Sequence, residues 1–483
     1  MYKLHLILKY LRKRRIAWVS LAAVMLCTAM VLIVISVMGG WLRMFKESFH
    51  GLTGDVIVTA RSITGFPHYD DMIRRIEALP EVRAAVPTIT TFGLINIGNQ
   101  RATGVQVIGY PIDRIGLVNR FPESLFLQNP ATPMAEKVAA LGREPVAVGF
   151  PSWDKPLPPE DYEAFRERGS RWPGMIVGAG VVDIEKNDDG EIVGRGPHLY
   201  SLPVQLTVVP ISGETFRIDT TEAPTPRSFW IADDSRTKLW QYDVNTVYVP
   251  LDTLQFDLKM HEQPPTTRGG RTVPNPARVT DIQVAVKPGH DLDAARDKIA
   301  AIVDGVWQER GEGFGTPRVQ TWLESQARYL DAIQNEVSLV TTLFGLISIV
   351  AVFLIFCIFY MIVVEKTRDI GIVKSVGATS RGVAGIFMGY GAALGIVGGG
   401  LGVLLGWLIV SNINFLHQEI LGKRLGILIW KPSVYQFDEI PNRVDPTTAT
   451  VIFAVAVVSA VVGAIIPAIR AASLNPVEAL RWE

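Results

Sequence analysis

The densest run of potential ligands in the chain is acidic: Asp183, Glu185, Asp188, Asp189 and Glu191 crowd around Gly190. Closely spaced carboxylates with a central glycine are what a calcium loop requires. With Gly190 as its sixth residue, such a loop would start at Glu185 and close on a bidentate carboxylate where Gly196 stands. Asp189-Gly190, flanked by Val182-Asp183-Ile184 and Glu191-Ile192-Val193, therefore predicts a hairpin turn instead. The seven histidines are scattered singly, without metal-ligand spacing. Gly422-Lys423-Arg424 lacks both the hydroxyl and the upstream glycine of a phosphate-binding loop, and no Gly-x-Ser-x-Gly elbow occurs. No residue is assigned to catalysis, to a cofactor or to a metal, and the chain is expected not to be an enzyme.

The second concentration of charge is Glu365-Lys366-Thr367-Arg368-Asp369-Ile370-Gly371-Ile372-Val373-Lys374-Ser375-Val376-Gly377-Ala378-Thr379, set between two long apolar runs. Two membrane helices joined this way put a small protruding element on one face of a bilayer. That element is placed to receive force from a soluble partner.

The elements that must carry it follow from hydropathy. Of 483 residues, 48% are hydrophobic, and the mean hydropathy is positive at +0.24, too apolar for an ordinary soluble protein. A spanning helix needs about 20 apolar residues. Four uncharged runs satisfy that length: 16–42, 337–364, 383–413 and 447–469. The expected architecture is an integral membrane protein with four transmembrane α-helices, one then three, and a large α+β extracytoplasmic domain over 43–336. The remaining parts are a basic leader (1–15), a cytoplasmic segment (365–382), an extracytoplasmic loop (414–446) and a cytoplasmic tail (470–483). Lys3, Lys9, Arg12, Lys13, Arg14 and Arg15 before the first run, and Lys366, Arg368, Lys374 and Arg381 after the second, assign those segments to the cytoplasm. Leu4, Ile7, Leu8 and Leu11 share one helical face of the leader, the pattern of a helix lying on anionic lipid. The first run is about twice the length of a signal peptide's apolar stretch and is expected to be retained.

Within the third run, Gly398, Gly402 and Gly406 form one row at four-residue spacing, and Gly391, Gly395 and Gly399 form another. Small residues so spaced let helix backbones approach closely in a bilayer. Each row suits packing within the chain, and one is equally suited to a partner subunit. The two cysteines, Cys27 and Cys357, both lie in apolar runs, so the outer domain cannot rely on disulfides.

In the outer domain, 55–59 predicts a strand and Asp70 to Ala78 a helix closed by Pro80. Val86 to Tyr110 predicts two or three strands with turns at Gly98-Asn99 and Gly104. Val279 to Val286 predicts a strand and Asp291 to Val303 a helix. Trp322 should begin a long helix continuous with the second span. The stretch 116–274 reads as loop-rich, with surface excursions at Pro130 to Pro159 and Pro264 to Pro276.

The charged loop, with Glu365, Lys366, Arg368, Asp369-Ile370-Gly371-Ile372 and Lys374-Ser375-Val376-Gly377-Ala378, resembles the coupling segment of the FtsX-like permease family of ABC transporters. The ending from Pro467 to Arg481, including Leu474-Asn475-Pro476-Val477-Glu478-Ala479-Leu480, is similar to that family's C-terminal signature. The basic leader running into the first span looks most like permeases of the lipoprotein-releasing type, with a macrolide-exporter-type periplasmic core. The resemblance implies a mechanotransmitting subunit in the inner membrane, coupled to a separate ATPase that binds the ATP. Glu365, Lys366, Arg368, Asp369, Ile370, Gly371, Val373, Lys374 and Gly377 would make the coupling contact. Implied partners are that ABC ATPase, a second permease copy or paralogue, membrane lipids and a periplasmic acceptor or adaptor; no nucleic acid is expected. The implied substrate is a lipoprotein or amphipathic molecule at the outer leaflet. Alternatives are export of a peptide or small molecule with an outer-membrane conduit, or regulation of cell-wall hydrolases.

Overall fold

The structure, a computed structural model, describes residues 15–97, 102–145, 152–154, 160, 172–182, 185–186, 192–193, 200, 203–210, 224–237, 240–268, 271–310, 316–426, 440 and 442–475. The basic leader, the Asp189-Gly190 turn and the end of the C-terminal signature lie outside them. The chain divides into a helical unit (Met1–Met44, Leu330–Ile429, Glu439–Glu483) and a sheet unit (Phe45–Tyr329, Trp430–Asp438).

The helices used below are α1 (Arg15–Leu52), α2 (Tyr69–Glu77), α3 (Leu292–Arg310), α4 (Trp322–Ser325), α5 (Ala327–Glu365), α6 (Thr367–Ser375), α7 (Ser380–Ser411) and α8 (Pro446–Ser473). Among the described residues α1, α5, α7 and α8 are long and apolar enough to cross a membrane. Two run past the apolar boundaries. α1 continues through Arg43 to Leu52, burying Phe45, Phe49 and Leu52 along one side, and α5 starts at Ala327. The helix expected from Trp322 is instead broken at Gln326 (φ −100°, ψ 7°). Thr321 and Glu324 cap the single turn of α4 reciprocally, and α5 then starts afresh.

The sheet unit is built on nine strands: β1 (Val56–Thr59), β2 (Val82–Ile97), β3 (Thr103–Tyr110), β4 (Gly174–Gly178), β5 (Pro203–Val208), β6 (Arg227–Ser235), β7 (Thr246–Pro250), β8 (Asp281–Val286) and β9 (Arg318–Thr321). Their order is β9-β1-β8-β2-β3-β7-β4-β6-β5, and β5 returns to pair with β2. The long strand β2 therefore serves two assemblies. Its first half, opposite β8, belongs to an open antiparallel sheet, while its second half closes a six-stranded ring with β3, β7, β4, β6 and β5. β3 with β7 and β4 with β6 are parallel, which forces long connections between them. α2 and α3 bury Met72, Ile73, Ile76, Ile299 and Val303 in the main core.

Two expectations are corrected, and three further stretches gain detail. Gly104 is not a turn residue; it lies within β3 opposite Leu94. The stretch 116–274, read as loop-rich, also supplies four of the ring's strands among its described residues. Pro264 to Pro276 is largely a hairpin, Gln263–Arg268 against Arg271–Asn275, with the register shift falling at its prolines. Pro130 to Pro159 contains the helix Met134–Leu141. The two-residue strands Glu185–Lys186 and Ile192–Val193 pair as a hairpin.

β6 ends in a buried acidic pair. Asp233 accepts from the backbone N–H groups of Leu127 (2.8 Å), Gln128 (2.9 Å) and Asp234 (2.8 Å), pinning the 126–128 segment to the ring. Asp234 accepts from Tyr200 and from Arg236 Nε at 2.7 Å. Burial pushes the Asp233 carboxyl up, the negative Asp234 adds to this, and the three N–H groups oppose it.

Both glycine rows of α7 are filled within the chain. A Cβ on Gly402 would lie 2.6 Å from the Met25 carbonyl oxygen and 2.7 Å from Thr28 Cβ; Gly398 and Gly406 face α1 likewise. Gly395 meets Val457 Cα at 2.8 Å, and Gly391 meets Ala464 Cβ at 2.7 Å, both on α8. Gly463 of α8 in turn lies against Val352 and Ile355 of α5.

Two outcomes are expected. Gly402→Leu or Gly395→Leu should cost about 1–3 kcal/mol of thermal stability by overpacking, whereas Gly385→Leu, which meets nothing within 4 Å, should cost nothing. Thermal unfolding of the detergent-solubilised chain reads this. Because folded Asp233 takes up its proton at higher pH than an unfolded carboxyl, the folded state binds more protons in that interval, and stability falls as pH rises through it. The unfolding midpoint should therefore drop from mildly acid to mildly alkaline pH, and Asp233→Asn should flatten the slope.

Candidate functional site

The charged segment folds into α6, a nine-residue helix. α5 stops at Glu365, and Lys366 leaves the helical region (φ −103°, ψ 8°), so the chain turns before α6 begins. At its other end Gly377 has φ +104°. The Gly377 N–H donates to the Lys374 carbonyl (3.0 Å) and the Ala378 N–H to that of Val373 (3.2 Å). This is a Schellman cap, and its left-handed position strains any residue except glycine. The Thr379 hydroxyl then accepts from the Gly382 N–H at 3.1 Å and starts α7.

α6 has two faces at helical spacing. Thr367, Ile370 and Gly371 are buried. Ile370 packs in a cluster with Val363 of α5, Val383 of α7 and Ala471 of α8, so the helix rests on the converging ends of three others. Lys374 lies on the same side. Its Nζ donates to the carbonyls of Ala472 (2.9 Å) and Leu474 (2.6 Å) at the end of α8. A cation there satisfies carbonyls that helix geometry leaves orphaned and complements the helix dipole.

The opposite face is open. Glu365, Arg368, Asp369, Ile372, Val373 and Val376 are exposed, and Val376 has 84% of its surface free. Lys366 pairs with Asp369 across one turn. Of the nine residues singled out from the sequence, Lys366 stands at the start of α6, and the other eight divide by face and position. Ile370, Gly371 and Lys374 seat the helix, and Gly377 ends it, while Glu365, Arg368, Asp369 and Val373 face outward. Ile372 and Val376 also face outward and were missed; the 369–372–373–376 spacing was the signal for them.

Residues 341–476 match the family described as FtsX-like permease C-terminal, and residues 17–167 match the MacB-like periplasmic core domain. The resemblance drawn from the loop and tail motifs therefore holds. Relatives include the "Lipoprotein-releasing system transmembrane protein LolC" of Neisseria meningitidis, 32% identical over 34% of this chain and 40% of that protein. LolC of Xylella fastidiosa is 27% identical over 40% of this chain and 44% of its own length. The "Macrolide export ATP-binding/permease protein MacB" of Bdellovibrio bacteriovorus is 22% identical over 42% of this chain and 28% of that one. The matches span less than half the length of these relatives.

The two faces of α6 should separate in experiment. Lys374→Met removes two charge-assisted hydrogen bonds and should lower stability by about 1–3 kcal/mol. Val376→Asp, on the free surface, should leave the unfolding midpoint unchanged.

Proposed function

We propose that this chain, an FtsX-like permease by sequence family, is the mechanotransmitting subunit of an ABC transporter in the inner membrane. α1, α5, α7 and α8 span the bilayer, one before and three after the sheet unit, with α6 and both termini cytoplasmic and the sheet unit outside. The observation that carries the reading is the divided surface of α6. Its buried face joins the ends of three apolar helices, while its open face offers Ile372, Val373 and Val376 flanked by Arg368 and Asp369. Exposed aliphatic residues beside charges are the chemistry of a docking patch for a soluble protein. That protein is an ATPase that binds the ATP, and two permeases, identical or paralogous, sit on its dimer. No Asp, Glu, Lys, Arg or His lies in 16–42, 337–364, 383–413 or 447–469. Motion rather than a polar path then moves the substrate, which is a lipoprotein or other amphipathic molecule at the outer leaflet. The lipoprotein-releasing relatives support that substrate class. The MacB-like match over the first helix and outer domain supports a second reading, export of a small molecule or peptide through an outer-membrane conduit.

Pull-down of the tagged chain in mild detergent, followed by an ATP hydrolysis assay, tests this. An ATPase should co-elute, and Arg368→Glu or Val376→Asp should remove it while thermal stability is kept. A clean chain without ATPase, or normal association by both variants, would overturn the assignment of α6.

A further inference from the structure

The sheet unit contains a cavity of about 530 Å³ lined by Phe49, Phe92, Gly93, Gly104, Val105, Gln106, Tyr242, Asn245 and Gln326, within the size range of ligand sites. It exists because one face of the ring is only partly covered. Val86, Ile108 and Tyr248 of that face are buried in a second core cluster. Beyond them the same face continues as Phe92 and Leu94 on β2, which are 73% and 51% exposed, with Gln106 and Gly104 opposite them on β3. Phe49 and Tyr242, in edge contact at 5.7 Å between ring centroids, form one wall. Gln326, at the break between α4 and α5, forms another.

The chemistry of the lining selects the occupant. None of the nine residues is charged, so among the described residues of the lining an ionic head group finds no counter-charge. Three of them are aromatic. Three carry side-chain amides, and those of Gln106, Asn245 and Gln326 make no hydrogen bond to described residues, leaving donors and acceptors for a ligand amide or ester. We propose that this cavity binds the apolar chain and adjoining amide of an uncharged N-acylated ligand, with the chain against Phe49, Phe92 and Tyr242 and the amide at the three carboxamides. The assignment rests on the reading of the chain as a handler of amphipathic substrates, and it adds a resting place for the substrate outside the apolar helices.

The test uses the full chain in lipid nanodiscs and a neutral photoreactive probe, N-palmitoylglycinamide with a diazirine in the acyl chain. Irradiation and peptide mapping should place adducts on segments containing Phe92 and Tyr242, competed by unlabelled N-palmitoylglycinamide. Gly104→Trp fills the cavity without disturbing the strand, since nothing lies within 4 Å of a Cβ there. It should weaken labelling about tenfold, equivalent to about 1.4 kcal/mol, with an unchanged unfolding midpoint; Phe92→Asp should do the same. Adducts confined to α1, α5, α7 and α8, labelling indifferent to both substitutions, or cross-links joining Phe92 to a second copy would overturn the proposal. No ATPase is present, so failure here leaves the coupling assignment standing, and failure to recruit an ATPase leaves this site standing.

Discussion

Everything in the helical unit depends on how closely backbones approach along α7. In a bilayer, lipid chains are as apolar as leucine, so burial gives helices little reason to associate, and contact quality must supply it. The two glycine rows of α7 supply it on two sides. One row meets the carbonyl oxygens and β-carbons of α1, and the other meets those of α8. α8 then uses Gly463 to receive α5. Three interfaces thus follow from residues without side chains, and the ends of α5, α7 and α8 converge because their middles do.

That convergence makes a seat for α6. A nine-residue helix is too short to be stable alone in water. It persists because Ile370 enters the cluster formed by Val363, Val383 and Ala471, because Lys374 binds the end of α8, and because Gly377 ends the helix cleanly. Inward residues are thereby committed to holding the helix, while outward ones stay exposed. A motif written as a consecutive string mixes these two classes, although helical geometry separates them.

Much of this was readable from residues alone, and the gaps have physical causes. The apolar runs were plain because length and hydropathy are local properties. The far end of the first was not, because Arg43 to Leu52 mixes charges with apolar residues and stays helical, whereas the helix leading into the second was legible except for its break at Gln326. The spacing of Gly391 to Gly406 announced close approach without naming the approaching helix. The ring escaped notice because its parallel pairs join segments distant in sequence. The cavity was invisible for a similar reason: Phe49, Phe92, Tyr242 and Gln326 meet only after the strand order is known.

The glycine content of α7 also bears on biogenesis. Ten of its 32 residues are glycine, each about 1 kcal/mol less favourable than alanine in a helix interior in water. A segment so composed depends on hydrocarbon, where unpaired backbone groups are too costly for it to uncoil. Synthesis runs from the N-terminus, so α1 is waiting when α7 emerges, while α8 has yet to be made. The row facing α1 is matched at once. The row carrying Gly391, Gly395 and Gly399 has its partner only once the last helix has been made, so the packing of α7 is completed by the final segment of the chain to be synthesised.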